Sequence, residues 1–293
     1  MAEPVVLYQK DDKIARITLN KPEKLNCIDL DLIKILDEAI GKAEADEEVK
    51  VIIFSGAGRA FCSGADMSWL GGQYYDKGNR PSQRYRLWLD EPTSIYERRV
   101  LDCSKVTISK AHGYAVGYGF RLFFYTDIQI AAEGTMFEYA EAKMLGPYYP
   151  NLPYFLMKFG LTLGSDIMFT GRWHTAEELQ RWGVIHSVVP MDELDEEVNI
   201  WAAHICKIPG DALEVGKRFM RVARDEMGVG SGWSWGYITH TLGVQQRLDP
   251  DDWNIFKTRK EGGAKGAFSS REDKFASSPL DRRTLRFSKK NSK

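Results

Sequence analysis

Two glycine-rich turns hold the residues whose types and spacing could do chemistry. The first lies in FSGAGRAFCSGADMSWL (54–70) and the second in AHGYAVGYGFRLFF (111–124); each follows an apolar run and leads into a segment with helical spacing. Amide N–H groups in the first turn of a helix lack intrahelical acceptors and sit at the positive end of the helix dipole. They can hold an oxygen that carries or develops negative charge, and two such turns facing one another would form an oxyanion hole. Taken singly, each turn reads equally as a tight turn with no ligand. Neither fits the phosphate loop G-x-x-x-x-G-K-[ST], and GYAVGYG lacks the G-x-G-x-x-G spacing of a dinucleotide site. In the second turn Tyr118 and Arg121 stand where small or apolar residues would be easier to place.

The elements around these turns alternate. VVLYQKDDKIARITLN reads as two strands about the turn KDDK, and DLDLIKILDEAIGKAEAD has apolar residues at helical spacing with Asp29 as N-cap. VKVIIFSG and KVTISKAHG read as strands, YGFRLFFYTD as a helix, IQIAAEG as a strand, and PNLPYFLMKFG with LGSDIMFTG as two helices. Repeated β–β–α units with apolar strands imply an α/β protein. From about Met191 the pattern turns helical, which divides the chain into a core over 1–190, a helical region over 191–275 and a basic, mobile tail over 276–293. The apolar face Leu194, Val198, Trp201 and Ile205 is expected to pack on the core or on a neighbouring subunit.

Composition bounds the function. With 40 basic and 41 acidic residues among 293, the formal net charge is −1, so there is no global pull towards nucleic acid or an anionic membrane. Cys27, Cys62, Cys103 and Cys206 lie far apart, with no C-x-x-C pair, which argues against a metal site and a disulfide framework. No apolar run approaches the ~18 residues of a membrane span, and the N-terminal segment lacks a signal-peptide pattern. A soluble, cytoplasmic protein with reduced thiols is expected.

The stretches ITLNKPEKLNCIDLDLIKILDEAI, VIIFSGAGRAFCSGADMSWL, AHGYAVGYGFRLFFYTDIQIAAEGTMFEYAEAKM and FTGRWHTAEELQRWGVIHSVVPMDEL occur in the order and spacing of the crotonase (enoyl-CoA hydratase/isomerase) superfamily. Over residues 5–275 the chain resembles that family. The resemblance implies a spiral of ββα units, a C-terminal helical region used in trimerisation, as a homotrimer or a dimer of trimers, and a substrate carried as a coenzyme A thioester. No permanently bound cofactor or metal is implied. The thioester carbonyl would be held by the amides of Ala65 and Tyr118, and Glu141 would carry the proton. Coenzyme A contacts are expected from Lys24, from the chain around Ala60, Ser63, Ala65 and Asp66, and from Phe268 and Lys274.

The departures from the family are as informative. Family hydratases carry glycine where this chain has Tyr118, and a glutamate that positions water where it has Arg121. A single carboxylate suits proton shuttling between two carbons, or a base acting on water or an alcohol. Arg121 reads either as an ion-paired arginine or as a contact to a substrate oxygen. Tyr74, Tyr75, Tyr85, Trp88, Tyr148, Tyr149 and Tyr154 are candidates for an aromatic wall that favours a ring or hydroxylated acyl group, or else for core and interface packing. The missing glutamate resembles feruloyl-CoA hydratase/lyase, in which comparison His240 falls near a catalytic tyrosine; the ring-suited pocket resembles ring-opening ketocyclohexane-carboxyl-CoA hydrolases. The expected activity is hydration, lysis or carbon–carbon hydrolysis of a cyclic, aromatic or functionalised acyl-CoA. The alternatives are an isomerase using one glutamate and a non-catalytic acyl-CoA-binding relative.

Overall fold

The computed structural model describes residues 3–69, 82–144, 146, 149–243 and 248–281. Strands β1 (Val6–Asp11) and β2 (Ile14–Leu19) form an antiparallel hairpin in which Val6 faces Leu19 and Asp11 faces Ile14. Along β2 the alternation buries Ala15, Ile17 and Leu19, as a half-covered strand requires. Strands β3 (Val51–Gly56), β4 (Val106–Ala111), β6 (Ile128–Ala132) and β9 (Ser187–Val189) then continue the sheet in parallel, in the order β1-β2-β3-β4-β6-β9. β5 (Tyr114–Val116), β7 (Met136–Glu138) and β8 (His174–Thr175) make a second, three-stranded sheet. The first glycine turn follows β3 and is bridged to β5 through Cys62 and Ala115, and the second follows β5.

Helix α1 (Leu30–Ala45) is capped by Asp29, whose carboxylate accepts from Leu32 N–H at 3.0 Å. Its buried stripe Leu32, Ile33, Leu36, Ala39, Ile40 and Ala43 repeats at helical spacing and packs into the main core. α2 (Gln83–Leu101), which the sequence pattern did not announce, begins at the Ser82 cap. The short α3 (Tyr118–Phe124) is buried over its whole length, and α4 (Leu152–Thr170) is two helical pieces joined at Gly160, where φ is 64°. α5 (Ala176–Arg181) leads to β9.

Four helices follow: α6 (Leu194–Cys206), α7 (Gly210–Glu226), α8 (Val229–Gly243) and α9 (Ile255–Ala276). Of the two places expected for the apolar face of α6, the core takes it and not a neighbouring subunit. Leu194, Val198 and Ala202 are buried within the chain against Val51, Ile53, Ile108, Ile130 and Ala132, with Trp201 and Ile205 beside them. The reason is that β3 is central and parallel, so both its faces need apolar cover; α6 supplies one and the main core the other. Val229 and Trp233 carry α8 into the main core. The basic segment expected to be mobile is docked at its start: Asp281 is buried and paired with Lys143 Nζ at 2.9 Å, while 282–293 lie outside the described residues. No described helix is long and apolar enough to cross a membrane.

Candidate active site

The first turn is laced between two neighbours. Phe61 and Cys62 N–H donate to His112 and Tyr114 carbonyls at 2.9 and 3.0 Å, and Asp66 N–H donates to Ile28 O at 2.7 Å. The fully buried Asn26 side chain holds the same loop, donating from Nδ2 to Ala57 O and Ala60 O, both at 2.8 Å. Gly64, at φ 96°, lets the turns close: a Cβ there would lie 2.8 Å from Val116 O and 3.6 Å from Tyr118 N. Ala65 and Tyr118 line one cavity, and among the described residues neither N–H donates a hydrogen bond. Two backbone donors without a partner among the described residues thus line the same cavity.

Beside them lies a cluster of charge. Glu141, from the 3-10 turn Ala140–Lys143, accepts from Arg121 Nη1 through Oε1, and its buried Oε2 has no hydrogen-bond partner among the described residues. Arg121 is buried and ion-paired, and it also reaches across to α2, where Nε and Nη2 donate to the two oxygens of Glu97 at 3.0 and 2.9 Å. Tyr125 OH donates to Glu97 Oε2 at 3.4 Å. Burial pushes the Glu97 carboxyl above the usual range, against the pull of Arg121. The Tyr118 ring lies 5.0 Å from the Arg121 guanidinium, and burial pushes its phenol well above its ordinary value.

A second polar pair occupies the same cavity. His240 Nδ1, on α8, lies 2.6 Å from Asp90 Oδ2 on α2, and Thr241 Oγ1 donates to that oxygen at 2.9 Å. Asp90, Glu97, Ser94 and His240 all line the cavity. Sequence reasoning missed Asp90 and Glu97. The signal was there: Arg86, Asp90, Ser94 and Glu97 follow one another at four- and three-residue spacing, a polar stripe on one helix face, and Arg86, Asp90 and Glu97 are all buried.

The remaining expected residues divide. Ser63, Ala65 and Phe268 line the cavity, whereas Ala60, Lys24, Asp66 and Lys274 do not. Lys24 is exposed and lies 3.5 Å from Asp66 Oδ2; Lys274 is exposed, with Nζ 3.4 Å from Asp251 O. Burial raises the Asp66 carboxyl, but hydrogen bonds from Ser68 and Trp69 N–H outweigh it and leave the group below the usual range. The aromatic wall is corrected. Tyr149 packs among Tyr125, Tyr139 and Phe155, and Tyr154 OH donates to Phe124 O at 2.6 Å, so the core has absorbed both. Tyr85 and Trp88 pack against each other away from the cavity; Tyr74, Tyr75 and Tyr148 lie outside the described residues. Trp69, Tyr118, Tyr237 and Phe268 line it instead. Elsewhere Asp166, His174 and Glu178 cluster at metal-like spacing, but Arg172 Nη2 lies 2.5 Å from both carboxylates and already supplies the positive charge.

Residues 9–229 match the enoyl-CoA hydratase/isomerase family. A probable enoyl-CoA hydratase of Mycobacterium bovis is 32% identical over 223 residues, which make up 73% of this chain and 75% of that protein. A solved probable enoyl-CoA hydratase from Mycobacterium smegmatis superposes with a TM-score of 0.73 at 29% identity, over 81% of this chain and 93% of that one. Another enoyl-CoA hydratase from M. smegmatis, 23% identical, has the same fold, with a TM-score of 0.82 over 93% and 94% of the two chains.

Proposed function

The chain belongs to the enoyl-CoA hydratase/isomerase family of the crotonase superfamily, and from that premise we propose that it processes an acyl-CoA thioester through an enolate. The thioester oxygen accepts hydrogen bonds from the Ala65 and Tyr118 amides, and Glu141 carries the proton of the α-carbon. The observation that supports this most directly is Glu141 Oε2, a buried carboxylate oxygen without a hydrogen-bond partner, in the cavity that the two amides also line. Oε1 is held by Arg121, which is held in turn by both oxygens of Glu97, so the carboxylate is fixed in orientation while one oxygen stays available.

Charge moves in a consistent direction. As the α-proton passes to Glu141, negative charge shifts to the thioester oxygen, where two amides stabilise it; one such donor is typically worth about 10²–10³ in rate. Arg121 belongs to this machinery as a support for Glu141, because its Nε, Nη1 and Nη2 each donate to one of two carboxylates. Lys24, exposed near Asp66, suits the phosphates of coenzyme A. The aromatic lining from Trp69, Tyr118, Tyr237 and Phe268 favours a cyclic, aromatic or otherwise functionalised acyl group. Hydration, carbon–carbon cleavage and isomerisation all pass through the same enolate. The protein works as a cytoplasmic homotrimer or dimer of trimers, with coenzyme A entering only as part of the substrate.

Exchange of the α-protons of butyryl-CoA in D2O, followed by mass spectrometry, tests the reading. Glu141→Gln keeps shape and should lower exchange by about 10²–10⁴-fold while thioester affinity survives. Exchange within a few-fold of wild type would place the proton transfer on another group.

A further inference from the structure

Family hydratases keep a second carboxylate where this chain has Arg121, and that position cannot accept a proton here. The cavity must supply the second proton acceptor from elsewhere if an oxygen nucleophile is to be activated. The described titratable residues that line it are Asp90, Glu97, Tyr118, Arg121, Glu141, Tyr237 and His240. Arg121 is a permanent cation, and Tyr237 carries a phenol, whose O–H donates. Glu97 has both oxygens bonded to Arg121, one of them also to Tyr125. Tyr118 is a buried phenol held in its neutral form, and Glu141 is assigned to the α-carbon. Asp90 Oδ2 is bonded to His240 and Thr241.

We infer that His240, oriented by Asp90, is the base for the oxygen nucleophile, and that the pair replaces the carboxylate lost at position 121. This rests on the enolate reading above and extends it to a substrate class: 2-enoyl thioesters that take up water at the β-carbon. The geometry is that of an imidazole fixed by a carboxylate. Asp90 at Nδ1 selects the tautomer with the proton on that nitrogen, which makes Nε2 the basic atom and stabilises the imidazolium once formed. Thr241 holds the same carboxylate oxygen, so Asp90 is fixed from two sides. α2 and α8, the helices that carry the pair, pack directly on each other. Glu141 comes from a different element, the turn Ala140–Lys143, so the two proton carriers can serve two different atoms of the acyl group.

The step balances. His240 Nε2 takes one proton from water as the water oxygen forms a bond to the β-carbon. The carbon–carbon π electrons move to the thioester oxygen, held by the Ala65 and Tyr118 amides. The enolate then collapses, taking a proton from the Glu141 carboxylic acid onto the α-carbon. Solvent exchange returns the imidazolium proton to Glu141, and one water has been added. Asp90 acts through His240 and is a positioning residue.

Two measurements on the full-length protein test the inference: water addition to crotonyl-CoA and cinnamoyl-CoA, and α-proton exchange of butyryl-CoA in D2O. His240→Gln should lose water addition by about 10²-fold or more while exchange stays within a few-fold of wild type. Glu141→Gln should lose both. Asp90→Asn should lower kcat for water addition while KM stays within a few-fold of wild type, because Asp90 acts through His240 and not on the bound thioester; a purely structural contact would move both. His240→Gln provides the independent reading should Asp90→Asn fail to fold. Water addition that survives His240→Gln while Glu141→Gln abolishes exchange overturns this inference and leaves the enolate reading standing. Exchange that survives Glu141→Gln overturns that reading instead. Absence of water addition to both thioesters by the wild-type protein also overturns the inference.

Discussion

Gly117 shows how a single residue governs the site. Its φ of 53° with ψ of −112° lies in a sparsely populated region, where holding a residue with a side chain costs about 1–3 kcal/mol. A Cβ there would also lie 3.2 Å from Glu141 Oε1 and 3.3 Å from Oε2, against the carboxylate itself. Gly183 has a similar φ, 74°, with nothing within 4 Å of such a Cβ, so it reports strain alone. Gly117→Ala should therefore lower turnover at least tenfold while Gly183→Ala leaves it near wild type, although thermal melts should show comparable losses of stability. Equal turnover in the two variants would mean that Glu141 tolerates displacement. At this scale the sequence was legible where backbone chemistry dictated residue type, as at the glycine turns and the Asp29 cap, whereas Ala65 and Glu141 were named through the family resemblance. Glu97 and Asp90 were not, because a carboxylate inside a helix looks like an exposed one until the fold buries its face.

The elements that the sequence announced were those with a strong period or an uninterrupted apolar run, such as α1, β3 and the helical pieces of α4. α2 was hidden because its buried face is polar, and apolar periodicity is blind to a stripe of Arg86, Asp90 and Glu97. The aromatic residues near it drew attention to a wall that the core had already claimed. α4 carries a titration of its own. Burial pulls the Lys158 ammonium down to about 8, although the charge of Asp127 opposes this, and Nζ donates to Gln129 Oε1 at 2.6 Å. The unfolded chain holds that proton up to about 10.4. Below pH 8 the folded state bears a poorly solvated charge; from about 8 to 10 the unfolded state binds more protons, and this group's contribution shifts in favour of folding. Lys158→Met should raise the melting temperature at pH 7 by about 2–4 °C, and the gain should shrink as the pH approaches 10. A gain independent of pH would trace the effect to packing rather than charge.

Across the whole molecule, α7 is mounted in reverse. Lys217 is its one buried residue, with Nζ 2.7 and 2.6 Å from the two oxygens of Asp127, and Arg224 donates to Leu101 O at 3.0 Å. Its large apolar side chains, Val215, Phe219, Met220 and Val222, are exposed. A helix fastened to its own chain by cations and showing apolar groups to the outside is arranged for a neighbour. Sedimentation should find an oligomer at micromolar concentration, and Phe219→Asp with Val222→Asp should shift it to smaller species without loss of helix content; a wild-type monomer would count against the assembly. A different consequence follows from the far end of the chain. Lys143, two residues beyond Glu141, is buried between Glu138 and Asp281, and Arg271 reaches Glu138 from α9. Ile255 and Phe268 of α9 close the cavity wall. The turn that bears Glu141 is thus anchored by residues translated well over a hundred positions later. A chain growing from its N-terminus can build both glycine turns before the residues that brace Glu141 exist, so the surroundings of that carboxylate are completed only once Arg271 and Asp281 have been made.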